Sequence, residues 1–334
     1  MSAARRVGAA ATVAGGLAGA LYAAERIAAA RVRRSPDGDA ARALVAQVYA
    51  DRHIPTHDGG TLYVVERGDP DAPPVVLSHG VTLSVRTWFH QLESLPQAGL
   101  RVIAFDHRGH GQSLLGDEGH SVENLGRDFK TLLEALDLEN AVLVGHSMGG
   151  IAVESFVTQF SDVAARRVAG IVLLSSIAYT PFGSRSTRMK ERIQKYFRRT
   201  PDTTGLWSRR NLGLALARVA FGEHPHPSHV ELVRQMLRDC AHETRAEVPR
   251  TLIGIDFTPQ LPDVRIPTLV IGGTADVITP PFEARRIAQL VPAARLEMFQ
   301  HGGHMLMLER HDEIDRLVIE FTGEVQRAPE ARGA

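Results

Sequence analysis

The chain has 334 residues, of which 44% are hydrophobic, so it is long enough to bury a large core. Its 38 Lys and Arg residues balance its 38 Asp and Glu residues, and this zero formal net charge gives no indication of a nucleic-acid partner. The single cysteine, Cys240, excludes an intramolecular disulfide framework and a metal site built from several cysteines.

The first 34 residues, 1–34, differ in composition from the rest of the chain. After Arg5 and Arg6 they are mostly small and uncharged, rich in alanine and glycine, until Glu25. Such a segment is compatible with a weak membrane anchor, a signal peptide or an alanine-rich surface helix. We expect membrane association through residues 7–24, and a cytoplasmic protein is the alternative.

From residue 61 onward, short apolar runs alternate with helical patterns. Several runs have consecutive rather than alternating apolar residues, as in strands that are buried on both faces. The stripe from Leu125 to Leu136 has helical spacing, and Ser121 is a suitable N-cap for it. The alternation predicts an α/β fold with a mainly parallel sheet flanked by helices. The predicted strands are TLYVVERG, PPVVLSHG, RVIAFDHRG, NAVLVGHS, AGIVLLSS, PTLVIGG and ARLEMFQ.

The alternation breaks once, over residues 177–262, where helical segments follow one another without a convincing strand. An insertion of this size at one strand–helix connection is more typical of a folded unit than of a loop. We therefore predict a helical cap over residues 177–262, inserted into an α/β core formed by residues 50–176 and 263–325.

Residues 145–149 read GHSMG and lie between a valine-rich strand and a helical pattern. The form G-x-S-x-G in this context is typical of a nucleophile elbow, a sharp turn that raises a serine hydroxyl above the end of the sheet. Gly145 and Gly149 allow neighbouring backbone to approach where a Cβ atom would clash. The sequence therefore predicts Ser147 as a catalytic nucleophile.

A serine hydroxyl needs a base that accepts its proton, and the base is best held by a carboxylate. Asp276 follows the apolar run PTLVIGG, and His304 follows the next apolar run. The chain order Ser147, Asp276, His304 is the order expected for a fold with this elbow. His301 is the alternative base, and Asp256 is the alternative acid.

The oxyanion that forms during acyl transfer needs two backbone donors. One donor should be the N–H group of Met148, the residue after the nucleophile. The other should be the N–H group of Val81, in the loop that follows VVLSHG. We expect His79 and Gly80 to shape this loop.

These motifs together resemble the serine hydrolases of the α/β-hydrolase fold, a group that contains esterases, monoacylglycerol lipases and non-haem perhydrolases. The resemblance covers residues 60–325, so residues 1–34 lie outside it. It implies that the reaction needs no cofactor and that His107 and His110 are structural. The motifs that carry it are SHG (78–80), FDHRGHGQS (105–113), GHSMGG (145–150), GGTADVITP (272–280) and GHMLMLER (303–310).

We therefore expect a serine esterase or lipase that cleaves small-molecule carboxylic esters with an apolar or lipid-like acyl group. Two alternatives stay open: a non-haem perhydrolase or haloperoxidase activity with the same triad, and a non-catalytic binding protein on this fold. The run HPHPSH (224–229) suggests zinc, but prolines separate its histidines and no carboxylate cluster accompanies them. We therefore predict no metal site. The sequence does not indicate which oligomeric state the protein has.

Overall fold

The computed structural model describes residues 22–43, 51–180, 203–292 and 294–332, with side chains to residue 327. Its strands are β1 (Asp51–Pro55), β2 (Thr61–Arg67), β3 (Pro74–Ser78), β4 (Arg101–Phe105), β5 (Ala141–His146), β6 (Val168–Leu174), β7 (Thr268–Gly273) and β8 (Ala294–Phe299). They form one sheet in the order β1-β2-β4-β3-β5-β6-β7-β8. The β1–β2 and β2–β4 pairs are antiparallel, and the other pairs are parallel. The predicted mainly parallel sheet is therefore confirmed.

Helices cover both faces of this sheet. Residues 22–34 are helical and are called α1. Ser121 caps the helix Val122–Ala135 as predicted, because its side chain accepts a hydrogen bond from the N–H group of Asn124. The other helices are α2 (Ala40–Ala43), α3 (Gln91–Gln97), α4 (Val122–Ala135), α5 (Met148–Gln159), α6 (Ser161–Arg167), α7 (Thr204–Ser208), α8 (Arg210–Ala217), α9 (Pro227–Asp239), α10 (His242–Thr251), α11 (Pro281–Leu290), α12 (Leu306–Glu309) and α13 (His311–Arg332).

The sheet separates two hydrophobic clusters. In β3, Val75 and Leu77 belong to the cluster that also contains residues of α1, α3, α9 and α13. Val76, between them, belongs to the cluster on the opposite face, with residues of α4, α5 and α11. All three side chains are fully buried. Consecutive apolar residues are needed here because successive side chains of a strand point to opposite faces and both faces are covered.

The sequence did not predict β1, which forms one edge of the sheet. Asp51, Arg52 and His53 of this strand are exposed, and only Ile54 is buried. An edge strand with this burial lacks the apolar alternation by which a strand is recognised in a sequence.

The described residues between β6 and β7 contain the helices α7 to α10 and no strand of the sheet. An isolated β-bridge pairs Tyr179 with Asp256, close to the two ends of the predicted cap. Residues 181–202 of that cap lie outside the described residues. The extent of the cap as a separate unit stays a prediction.

Helix α1 packs against the rest of the fold. Ala29 and Val32 are buried in the hydrophobic cluster that includes residues of α9. Glu25 forms an ion pair with Arg209, at a distance of 3.6 Å. Most of the predicted membrane segment, 7–24, lies outside the described residues. In the part of the chain that the structure describes, no helix combines the length and the apolar character needed to cross a bilayer.

Candidate active site

Ser147 lies at a strained turn between β5 and α5. Its backbone dihedrals are φ 53° and ψ −116°, a combination that non-glycine residues rarely adopt. A Cβ atom on Gly145 would lie 2.4 Å from the carbonyl oxygen of Gly149. A Cβ atom on Gly149 would lie 2.2 Å from the carbonyl oxygen of Ser78. Both glycines of the motif are therefore required by close backbone packing.

Two hydrogen bonds tie this turn to the end of β6. The N–H group of Ser147 donates to the carbonyl oxygen of Leu174 at 3.0 Å. The buried hydroxyl of Ser176 donates to the carbonyl oxygen of Ser147, also at 3.0 Å. These contacts hold the serine in a conformation that it would not adopt alone. Sequence reasoning did not identify Ser176.

Asp276 and His304 meet at the carboxyl ends of β7 and β8. Nδ1 of His304 lies 2.9 Å from Oδ2 of Asp276, and both side chains are buried. The N–H groups of Ile278 and Thr279 donate to Oδ1 of Asp276 at 2.8 and 2.9 Å. Burial by itself would raise the pKa of Asp276, but the hydrogen bond and charge of His304, with the hydrogen bonds from Thr279, lower it. The carboxylate therefore stays ionised beside the imidazole.

The hydroxyl group of Thr279 adds a further contact that sequence reasoning missed. Its Oγ1 atom lies 2.6 Å from Oδ2 of Asp276 and 3.2 Å from Nδ1 of His304. It also lies 3.0 Å from the carbonyl oxygen of Ser175. The only sequence signal is its place three residues after Asp276, a spacing at which a hydroxyl can bond back to a carboxylate.

Neither of the alternative residues lines the cavity that Ser147 borders. His301 is exposed at its side chain, and its Nδ1 atom lies 2.8 Å from a carboxylate oxygen of Glu223. Asp256 accepts hydrogen bonds from Thr258 and lines a different cavity, of about 540 Å³. The histidine–carboxylate pair is therefore His304 with Asp276.

His146 supports the loop that carries His304. Its Nε2 atom lies 2.9 Å from the carbonyl oxygen of His304, and the two ring centroids are 4.7 Å apart. Burial, with the nearby charge of His304, lowers the pKa of His146 well below its usual value. The ring is therefore neutral, and Nε2 carries the hydrogen that is donated to the carbonyl.

Ser147 and His304 border one cavity of about 250 Å³. Much of its wall comes from α7, α8, α9 and the residues that follow α8. The backbone N–H group of His304 donates to the carbonyl oxygen of Ala220, at 2.8 Å, so the insertion also contacts the catalytic loop. The apolar residues of the wall are Val81, Leu83, Trp207, Leu216, Ala217, Val219, Ala220, Val233, Leu237, Ile278 and Met305.

The predicted oxyanion donors lie beside the same serine. Val81 lines the cavity, and Met148 is the first residue of α5, so its N–H group has no acceptor within the helix. Nδ1 of His79 lies 2.7 Å from the carbonyl oxygen of Gly80, and its Nε2 atom accepts from the N–H group of His107 at 3.0 Å. Burial lowers the pKa of His79 well below its usual value, so this ring is neutral and fixes the loop.

The loop after β4 is held by buried polar contacts outside the cavity wall. Arg108 makes two bonds of 2.7 Å to Asp128 and one of 2.9 Å to Asp58. Nε2 of His107 lies 2.7 Å from the hydroxyl oxygen of Ser78. His107 and His110 are fully buried and do not line the cavity, which supports a structural role for both.

Comparison with known proteins gives a family match over residues 75–317, to the α/β-hydrolase family. A non-heme chloroperoxidase from Streptomyces lividans is 30% identical over 278 residues, 78% of this chain and 95% of that protein. An AB hydrolase superfamily protein, YisY from Bacillus subtilis, is 25% identical over 277 residues, 81% of this chain and 98% of that protein. A solved thermophilic esterase from Thermogutta terrifontis is 27% identical with a TM-score of 0.68, covering 84% of this chain and 99% of the esterase.

The family match includes the strands that carry Ser147, Asp276 and His304 as well as the residues themselves. It extends over most of the described sheet, and the relatives are matched over nearly their whole length. The predicted resemblance is thereby confirmed, and the chain belongs to the α/β-hydrolase family.

Proposed function

We propose that this protein is a serine hydrolase that cleaves carboxylic esters, with Ser147 as nucleophile. One observation carries the proposal: a strained serine and a histidine bonded to a buried carboxylate border the same cavity. In this proposal His304 is the base and Asp276 is the group that orients it.

The geometry supports a two-step reaction. Nδ1 of His304 is engaged by Asp276, so Nε2 is the nitrogen left to accept the proton of Ser147 as its oxygen attacks the ester carbonyl. The N–H groups of Met148 and Val81 stabilise the oxyanion. His304 then protonates the leaving alcohol. In the second step it takes a proton from the water that attacks the acyl-enzyme and returns it to the oxygen of Ser147 as the carboxylic acid leaves.

The cavity favours a compact apolar acyl group. Its volume of about 250 Å³ lies below the range of roughly 300–1,000 Å³ that is common for drug-sized ligands. The polar residues that line it are Thr82, His146, Ser147 and His304, and the rest of the wall is largely apolar. We therefore propose short-chain esters rather than long-chain lipid esters as substrates.

A perhydrolase is the second candidate, favoured by the similarity to the Streptomyces chloroperoxidase. The same acyl-enzyme would then be attacked by hydrogen peroxide instead of water. This step forms a peracid and returns the serine hydroxyl, and the peracid can oxidise bromide. The two activities differ only in the oxygen nucleophile that enters the cavity.

An ester panel tests the proposed function. p-Nitrophenyl esters from acetate to palmitate are given to the wild type, to Ser147→Ala and to Ser161→Ala, a control at an exposed serine of α6. We expect kcat/KM to be highest for the short esters. Ser147→Ala should lower kcat by about 10³-fold or more, and Ser161→Ala should match the wild type. Full turnover by Ser147→Ala would contradict the proposal.

Two further assays separate the alternatives. Bromide oxidation in acetate and hydrogen peroxide is compared with ester hydrolysis on the same enzyme preparation. We expect ester hydrolysis to be the faster reaction, and faster bromide oxidation would favour the perhydrolase. A fluorophosphonate probe should label the wild type at Ser147; an unlabelled serine would favour a non-catalytic binding protein.

A further inference from the structure

A second cluster of polar side chains lies apart from the active-site cavity. It joins Asp39, between α1 and α2, to His90 at the start of α3 and to His229 in α9. Oδ2 of Asp39 lies 3.2 Å from Nε2 of His90 and 3.0 Å from Nε2 of His229. The two Nε2 atoms are 3.4 Å apart, and all three residues are buried.

These three separations match the edges of a metal tetrahedron. Zinc binds imidazole nitrogen and carboxylate oxygen at about 2.0–2.2 Å, so neighbouring ligand atoms of a tetrahedral site lie roughly 3.3 Å apart. Hydrogen bonds account for the two contacts of Asp39, because each imidazole can donate to the carboxylate. They do not account for the close approach of the two Nε2 atoms, since both would then carry hydrogen.

A further imidazole lies beside the cluster. His226 stacks on His229, with ring centroids 4.9 Å apart, and its Nδ1 atom lies 3.9 Å from Oδ2 of Asp39. This Nδ1 atom is buried, and it has no hydrogen-bond partner among the described residues. Asp37 fastens the start of α9 by accepting bonds from the N–H and hydroxyl groups of Ser228, at 2.8 and 2.7 Å. Nδ1 of His226 also lies 3.7 Å from Oδ1 of Asp37, so this imidazole borders the cluster without belonging to it.

We propose that Asp39, His90 and His229 bind a zinc ion or a similar first-row transition-metal ion. Two imidazoles and a carboxylate form a donor set that suits such an ion. In the sequence, prolines separate the histidines of HPHPSH and no carboxylate cluster accompanies them. The fold supplies a carboxylate, because it brings Asp39 to His229 from a distant part of the chain.

The position of the cluster indicates a structural role. It connects three parts of the fold: the segment before α2, the start of α3, and helix α9. Val233 and Leu237 lie one and two turns beyond His229 on α9 and line the active-site cavity. The ligands themselves do not line that cavity. A bound ion would thus fix one wall of the cavity to the core without taking part in the reaction.

Metal titration of the full-length, tag-free protein tests this proposal. After treatment with a chelator and dialysis, the wild type is titrated with Zn²⁺ by calorimetry and with Co²⁺ by visible absorption. We expect one ion per chain, a tetrahedral Co²⁺ spectrum and a higher Tm with Zn²⁺, because an ion that binds only the folded state stabilises it. If the wild type bound neither Zn²⁺ nor Co²⁺ at one ion per chain, the proposal would be overturned, whatever the variants do.

Matched variants locate the bound ion. His229→Gln and Asp39→Asn should weaken Zn²⁺ binding by more than about 100-fold, beyond the loss that is typical of outer-shell residues. His224→Gln is the control, since His224 belongs to the same HPHPSH run but its side chain is 92% exposed. Glutamine at position 229 can still donate to Asp39, and circular dichroism checks the fold of each variant. Equal loss of affinity in His224→Gln and His229→Gln would contradict the assigned ligands.

Discussion

At the scale of single residues, Asp276 is the most completely bonded group of the candidate site. It receives hydrogen bonds from His304, from two backbone N–H groups and from the hydroxyl of Thr279. Thr279 is also close to Nδ1 of His304, so its hydroxyl contributes to the orientation of both members of the pair. In the proposed reaction Thr279 is a positioning residue, because it would act through Asp276 and His304.

Replacing Thr279 by valine should lower kcat by about 10- to 100-fold, the loss expected for one hydrogen bond to a charged group. Removal of the hydroxyl also raises the pKa of Asp276, because that hydrogen bond stabilises the carboxylate. Thr279→Ser restores the hydroxyl and should recover most of the activity. A valine variant with wild-type kcat would contradict this role.

The sequence was sufficient to predict that Ser147, Asp276 and His304 come together, since each follows an apolar strand and the carboxyl ends of parallel strands meet at one edge of a sheet. It did not select Thr279, Ser176 or the ring contact of His146 with His304. A hydroxyl or an imidazole that bonds across the fold leaves no periodic pattern in the sequence, and its partner is set by packing.

At the scale of elements, the junction of β5 and α5 depends on space for the backbone. A Cβ atom on Gly149 would approach the carbonyl oxygen of Ser78, in β3, to 2.2 Å. The strand, the turn and the helix therefore pack at a distance that alanine does not permit. Any adjustment must move Ser147 relative to His304.

Gly149→Ala should lower kcat/KM by more than about 100-fold, because a displacement of about 1 Å in a catalytic group has an effect of that size. It should also reduce the free energy of unfolding by about 1–3 kcal/mol, as overpacking does. Gly205→Ala, in α7, is the matched control because no atom of the described residues lies within 4 Å of its added Cβ. Steady-state kinetics and urea denaturation measure both effects; a fully active Gly149→Ala variant would rule out this steric argument.

The elements themselves were largely predictable. Seven of the eight strands follow from apolar runs, because a strand covered by helices on both faces must be apolar on both. The edge strand β1 is mostly exposed and need not be apolar on both faces, so its polar residues did not indicate a strand. The contact between the HPHPSH segment and Asp39 could not be predicted from the sequence, since it depends on how α1 and α9 pack against the sheet.

At the scale of the whole molecule, one buried acid opposes folding at neutral pH. Glu154 in α5 is fully buried, and both of its carboxyl oxygens lack a hydrogen-bond partner among the described residues. Burial, with the nearby charge of Glu283, raises the pKa of Glu154 well above its usual value of 4.5. The folded protein therefore holds a proton on this group over a pH range in which the unfolded chain has released it.

The free energy of unfolding should consequently depend on pH through Glu154. Below pH 4.5 the ionisation of Glu154 does not reduce the free energy of unfolding. As the pH rises from 4.5 toward the raised pKa of the folded state, this free energy decreases by up to about 1.4 kcal/mol per pH unit. Glu154→Gln, which does not titrate, should lose this part of the slope, whereas Glu320→Gln at an exposed position should keep it. Urea denaturation from pH 5 to pH 8 measures the slopes. Parallel curves for the wild type and Glu154→Gln would contradict the argument.

The insertion between β6 and β7 has a consequence for how this enzyme could be altered. The proposed reacting groups stand on loops of the sheet, whereas Leu216, Val219 and Val233 of the cavity wall come from the inserted residues. Much of the substrate fit and the proposed reactivity are thus encoded in separate stretches of one chain. If the protein hydrolyses esters as proposed, substitutions confined to those three wall positions should change which acyl group is accepted while the serine, the imidazole and the carboxylate keep their places.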